Sequence, residues 1–241
     1  MVVKNQIKFI KSLQQKKYRN EHGLFVAEGI KLVQELLLSD LKPYGVYTTQ
    51  EDLIVEDAKI IQLVSESDLK RMSGLQSPNK MLGVFYIPKA KESTTSDGWI
   101  VALDEVRDPG NLGTIIRLCD WFDIPNLVCA NKTVDCYNPK VLQASMGSIS
   151  RVNTVYTDLS QFLKQTQLPI YGAIMDGNSV YKEQLPKKGI LLLGNEANGI
   201  SDAIVPLVTK KISIPQYGAK TAESLNVAMA TALLLGAIRN A

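Results

Sequence analysis

Histidine is almost missing from this chain: His22 stands alone in 241 residues. That scarcity argues against a histidine-ligated metal, a Ser-His-Asp triad and imidazole acid–base chemistry. Cysteine is nearly as rare. Cys119, Cys129 and Cys136 are odd in number and sit in apolar or strand-like surroundings. Neither a disulfide framework nor a thiolate zinc site is expected from them, and a reducing cytoplasm is. No apolar run reaches the roughly 18 residues of a membrane span. The opening MVVKNQIKFI lacks the apolar core and small-residue cleavage site of a secretory signal. Two phosphate-binding signatures are absent as well: the turn ILLLGNEANGIS at 190–201 holds neither G-x-G-x-x-G nor a Gly-Lys-Ser/Thr ending. The expectation is a cytoplasmic protein without membrane segment or metal.

What is present is an ordinary capacity for a core. The hydrophobic fraction is 45% and the charged fraction 21%, and the length suits one large domain or two small ones. A net charge of +3 is too mild to define a partner. Its distribution is more pointed. Lys4, Lys8, Lys11, Lys16, Lys17 and Arg19 all precede the first acid, Glu21. A helix there presents either a basic face suited to phosphates or a merely solvated one.

Residues 1–90 read as a small α/β module. After the basic helical start come a strand at LFVAEG, a helix at IKLVQELLL, strands at YGVYTT and IIQLV, a helix at ESDLKRMSG and a strand at MLGVFYIP. The polar, Pro-bounded stretch that follows predicts a linker at 91–98. From Trp99 to the end the alternation is regular. Strand-like runs are WIVALDEV, NLVCA, RVNTVYT, PIYGAIM, GILLLGN and KKISIP, with helices predicted near Asn111, Pro139, Asp158, Ser201 and Ala222. Nearly continuous apolar strands separated by helices indicate a parallel sheet covered on both faces. Such domains bind at the carboxyl ends of their strands.

Three strand-to-helix turns draw attention. In LDEVRDPGNLGTIIR, 103–117, Asp108-Pro109-Gly110-Asn111 reads as a tight turn ending in an Asn cap, and Arg117 lies one turn after Gly113. Helical side chains lean toward the N-terminus, so Arg117 is expected to pass over Gly113 toward the turn. Pairing with Asp120 or stacking on Trp121 is the plainer use for it. In the second turn, Gly194-Asn195-Glu196 ends an apolar strand, and Glu196 is either functional or a helix-dipole partner. In the third, a strand stops at Pro215 and Glu223-Ser224-Leu225-Asn226 opens a helix rich in small residues, with Ser224 or Asn226 available as caps.

Together, in this order, the turns resemble the SpoU (TrmH-like) branch of the SPOUT RNA methyltransferases. The matching residues are Asn111-x-Gly113-x-x-x-Arg117, Gly194-Asn195-Glu196, and Ile214-Pro215 followed by Ser224-Leu225-Asn226-Val227, with NPKVLQASMGS at 138–148 as a further match. The resemblance covers 99–241, and the N-terminal module is similar to the small substrate-binding domain of such enzymes. It implies a C-terminal α/β domain with a deep trefoil knot, a homodimer, and transfer of a methyl group from S-adenosylmethionine to a ribose 2′-OH of rRNA or tRNA, rRNA before tRNA. Leu193, Gly194, Ile214 and Leu225 are the implied cofactor contacts. Arg117 is implied to position the 2′-OH and adjacent phosphate, since a guanidinium hardly gives up its proton. Asn111 is implied to shape the turn and bond near Arg117, with Glu196, Ser224 and Asn226 orienting Arg117 and the ribose. The chain departs from the family pattern at Gln216, at Gln143 and in a longer 215–224 loop. Competing readings are a catalytically silent RNA-binding protein of the same fold and a SPOUT base methyltransferase.

Overall fold

The computed structural model describes residues 3–53, 60–89, 97–218 and 223–240. The chain divides into two compact units, Met1–Lys89 with Asp135–Ser150, and Ala90–Val134 with Arg151–Ala241. Of the linker expected at 91–98, only Asp97 and Gly98 fall within the described residues.

The basic start of the first unit folds as two short helices, α1 (Lys4–Ser12) and α2 (Lys16–His22). The break between them is held from within. Arg19 turns inward, donates to the carbonyls of Leu13 (3.0 Å) and Gln14 (2.8 Å), and forms an ion pair with Asp135. Arg19 is therefore withdrawn from the expected basic face, leaving Lys4, Lys8 and Lys11 exposed along one side of α1. Then follow β1 (Leu24–Glu28), α3 (Ile30–Leu37), β2 (Pro43–Thr48), β3 (Ile61–Leu63), α4 (Glu66–Met72) and β4 (Met81–Tyr86). The strands form a sheet in the order β1-β4-β2-β3, antiparallel except for the β2–β3 pair. Alternation along β1 supplies both faces. Leu24 and Val26 pack with Ile7, Ile10 and Leu13, while Phe25 stacks on Phe85.

In the second unit, β5 (Trp99–Leu103), α5 (Pro109–Trp121) and β6 (Asn126–Ala130) come first. The next helix, α6 (Pro139–Ser145), packs on β1 and so belongs to the first unit. The chain then returns with β7 (Asn153–Thr157), α7 (Leu159–Gln165), β8 (Ile170–Ser179), β9 (Gly189–Leu193), β10 (Lys210–Ser213) and α8 (Val227–Arg239). Six strands pair in the order β10-β8-β9-β5-β6-β7, all parallel. The central strands β5 and β9 are buried along their whole length, as the unbroken apolar runs require of a sheet covered on both faces. Ile100, Ala102, Ile190 and Leu192 meet Leu159 and Leu163 of α7 on one side.

Two expected helix starts are displaced. From Ser201 the chain makes a turn and only a short 3-10 helix, Val205–Leu207, because Pro206 has no N–H to continue one. The last helix starts at Val227, not near Ala222. Asn226 is its cap and accepts from the N–H groups of Ala228 (2.9 Å) and Met229 (3.2 Å). The cap of α5 is likewise Asp108, not Asn111. Its carboxylate accepts from the Asn111 N–H at 2.8 Å, with Pro109 in the first turn where no donor is missed.

Candidate active site

Parallel strands deliver their carboxyl ends to one edge of the sheet, and the turns after β5, β9 and β10 meet there. Asp104, just past β5, is buried. Its N–H donates to the Leu193 carbonyl at 2.8 Å and its carboxylate accepts from the Ser201 N–H at 2.7 Å. This one residue ties the end of β5 to both arms of the turn after β9. That turn closes on itself through reciprocal backbone bonds between Asn195 and Gly199. Gly194 leaves no alternative: a Cβ there would stand 2.1 Å from the Gly199 carbonyl carbon. The Asn195 side chain accepts from the Ala197 and Asn198 N–H groups and donates to the Glu105 carbonyl at 2.7 Å.

The shift of the α5 cap to Asp108 frees the Asn111 side chain for other work. Its amide donates to Glu196 Oε1 at 3.0 Å, and its Oδ1 accepts from the Asn226 amide at 2.9 Å. Glu196 also receives the backbone N–H groups of Arg107 and Asp108, both at 3.4 Å. Its charge thus sits against the N-terminus of α5, where the helix dipole favours an anion. Glu196, Asn111 and Asn226 form a continuous hydrogen-bonded chain joining all three turns.

The other candidates stand outside that chain. Arg117 is exposed on α5, across the helix from the buried Leu112, Ile115 and Cys119, and has no ion-pair partner among the described residues. The expected bonds between it and Asn111, Glu196 or Asn226 are not formed in this structure. Nor is the plainer use realised with Asp120, whose carboxylate is held by Arg151 at 2.8 Å. Ser224 is exposed, two residues before the α8 cap. Leu193 is buried at the end of β9, Gly194 and Ile214 are half-buried at the strand ends, and Leu225 is exposed.

Sequence reasoning missed Asp104, Asn195 as a side chain, and Glu105. Glu105 has φ 58°, a left-handed backbone uncommon outside glycine. Its carboxylate is flanked by Arg107 (2.7 Å) and Lys132 (3.0 Å). The hydrogen bond from Arg107, then that from Lys132, holds it below the usual carboxylate range. The available signal was the Asp-Glu pair at the carboxyl end of a wholly apolar strand, an edge where carboxylates need a purpose.

Fold and turns together define a class: an α/β domain in which polar side chains from separate turns are bonded together at the carboxyl edge of a parallel sheet, beside a helix whose arginine has no ion-pair partner among the described residues. The chain belongs to the SpoU rRNA Methylase family, which matches residues 98–236, and residues 4–83 match the MRM3-like substrate binding domain. It is 32% identical to the 23S rRNA (guanosine(2553)-2′-O)-methyltransferase RlmP of Bacillus subtilis, across 98% of this chain and 97% of that one. Among solved structures, a TrmH-family protein from Porphyromonas gingivalis superposes with a TM-score of 0.90 at 36% identity, covering 100% of this chain and 99% of the other. An AdoMet-bound rRNA methyltransferase from Sinorhizobium meliloti does so with a TM-score of 0.87 at 27% identity, covering 100% and 96%.

Proposed function

We propose that this chain methylates a ribose 2′-OH of ribosomal RNA, with S-adenosylmethionine as methyl donor, in the cytoplasm. The observation that carries the reading is the Glu196–Asn111–Asn226 chain, which fixes three turns around the start of α5, the helix on which Arg117 has no ion-pair partner among the described residues. Both family matches and the full-length likeness to RlmP support it. The cofactor residues suit the group. Leu193, Gly194, Ile214 and Leu225 offer backbone and apolar surface without charge, which fits a neutral adenine and ribose.

The bound donor supplies an electrophilic methyl on sulfonium. Leu193, Gly194, Ile214 and Leu225 would hold it as the S–CH3 bond breaks and the methyl joins the ribose oxygen, and the hydroxyl proton would pass to solvent water. Alignment of oxygen, carbon and sulfur supplies most of the acceleration in such a displacement. Arg117 holds the hydroxyl and the neighbouring phosphate and stabilises charge developing on oxygen. Asn111 and Asn226 keep the mouth of the site in register, and Ser224 contacts the ribose.

The same reading takes the active form to be a homodimer with a knotted C-terminal domain. Met229 and Leu233, one turn apart on α8, are both exposed, and Trp121 at the end of the neighbouring α5 is 81% exposed. An apolar stripe of this kind is what a twofold contact covers. Light scattering of the wild type and of Met229→Glu tests it: a dimer and a monomer are expected, and a wild-type monomer rejects the assembly.

The function itself is tested by calorimetric titration with S-adenosylmethionine, followed by incubation with unmodified 23S rRNA and methyl-labelled donor. Label in alkali-resistant dinucleotides is expected, because a 2′-O-methyl blocks cleavage at its linkage. Label confined to alkali-labile mononucleotides means a base is the acceptor. RNA binding without any transfer means a silent binding protein.

A further inference from the structure

The first unit contains a mostly apolar-walled cleft with polar side chains set into it, which the methyl-transfer reading leaves unused. It has a volume of about 610 Å3, in the range of small-ligand sites, and is lined by Gln14, Glu28, Gly74, Asn138 and Gln143, with Leu75 and Pro139 also on its walls. Glu28 is 3% exposed. A carboxylate buried to this degree ordinarily carries a cationic partner, and among the described residues this one has none. Only neutral donors hold it: the Ser73 hydroxyl, the Gly74 N–H at 2.8 Å and the Gln14 amide at 3.1 Å. The hydroxyl takes Oε2 and the other two share Oε1, so an acceptor position remains on Oε2. The neighbouring amides are fixed with capacity to spare. Asn138 spends its Oδ1 on the Lys140 N–H at 2.9 Å, leaving its amide N–H groups without a partner among the described residues. Gln143 donates to the Glu28 carbonyl at 2.5 Å and keeps its own oxygen. Glycine at 74 keeps the floor open, since a Cβ there would meet the Gln14 amide oxygen at 2.6 Å.

The cleft therefore presents an anionic acceptor at depth, a neutral donor and acceptor on the wall, and apolar surface beside them. An anion is repelled by Glu28, and a purely apolar ligand strands the amides. A planar heterocycle with an amino group satisfies all of these. Lys140 at the rim and Lys11, which donates to the Ser73 carbonyl, supply cations for the phosphates on either side. We infer that this cleft holds one unstacked base of the RNA substrate, a base with an exocyclic amino group, and so reads sequence away from the methylated ribose. The inference rests on the proposal that RNA is the substrate. Single-stranded bases read by hydrogen bonds to their edges are the usual targets of sequence-specific RNA recognition, and carboxylates accept from the cytosine amino group.

The test is fluorescence anisotropy with full-length protein and two labelled probes, dodecamers of cytidine and of uridine. Uracil carries a carbonyl where cytosine carries its amino group. About tenfold tighter binding of oligocytidine is expected, with the preference lost in Glu28→Gln. Should Glu28→Gln melt early, Asn138→Ser decides, since serine keeps the α6 cap and removes the amide donor without adding charge. It is expected to weaken oligocytidine several-fold. Equal affinity of the wild type for both probes, or Asn138→Ser binding like wild type, overturns the cleft assignment. So does failure of oligocytidine to bind. Methyl transfer to 23S rRNA by the same preparation separates the cases: transfer without preference sinks the cleft alone, and absence of transfer sinks the function reading.

Discussion

Arg19 lies 2% exposed in the first unit, bonded to Asp135 and to two carbonyls, whereas Arg117 stands in solvent on α5 with no ion-pair partner among the described residues. In the sequence the two look reversed. Arg19 closes a basic N-terminal run that suits phosphates, and Arg117 sits within an amphipathic helix beside an acid it could pair with. The structure spends Arg19 on architecture and leaves Arg117 available. The contrast separates two uses: a guanidinium with four of its five donors engaged is a fastener, and one without an ion-pair partner among the described residues, beside fixed polar turns, is a candidate tool.

Replacing each arginine should break the pair of assignments in opposite ways. The largest expected effect is that of Arg117→Ala, which should lower methyl transfer about 10³-fold, the scale seen when one donor to developing charge is lost. Donor affinity and melting temperature should stay near wild type. A matching loss of S-adenosylmethionine binding in calorimetry would make Arg117 structural and erase the contrast. Arg19→Met should do the reverse. It leaves Asp135 without its cation and should cost about 3 kcal/mol of stability, read as a lower urea midpoint, since removing one partner strands the other. Little loss of midpoint would return Arg19 to the solvated face where the sequence had it.

The sheet was legible because long apolar runs such as GILLL and WIVAL admit few other fates than buried strands, and the strand ends then located the turns. The residues of the site were legible as types, not as a network. Asn111 looked like a cap, and only the structure shows Asp108 taking that duty and releasing the Asn111 amide to Glu196 and Asn226, partners 85 and 115 positions away. Nothing local encodes such distances. The same holds for α6, which sequence order assigns to residues 99–241 but which packs on β1 through Gln143 and Glu28, 115 positions apart. Pro206 is visible in the sequence, and its missing N–H stops a helix after Ser201 despite the serine available as a cap.

Asn226 allows a finer cut between fastening and function within a single side chain. Its oxygen caps α8 and its amide reaches Asn111. Asn226→Asp retains the cap and loses the amide bond, so transfer should fall between tenfold and a hundredfold (about 1.4–2.8 kcal/mol) with stability nearly unchanged. Asn226→Ala removes both and should add about 1 kcal/mol of destabilisation. If Asn226→Asp turns over like the wild type, the bond to Asn111 contributes nothing to the site.

The smallest effect belongs to Glu105, where a second contrast, between charge and backbone, can be resolved. The hydrogen bond from Arg107 and then that from Lys132 depress its carboxyl below the ordinary value. A group whose folded value is depressed stabilises the protein above the unfolded value and loses that contribution as pH falls through the folded one. Glu105→Gln should therefore melt slightly below wild type near pH 7, and the gap should close as acid protonates the wild-type carboxylate. Because both cations are exposed, about 0.5 M salt should close it too. Glu105→Gly separates the other contribution, because glycine accepts φ 58° without strain. It loses the same ion pairs and should nevertheless melt above Glu105→Gln at every pH. If the two variants melt together, the left-handed backbone at the end of β5 carries no measurable strain, and Glu105 matters there for its charge alone.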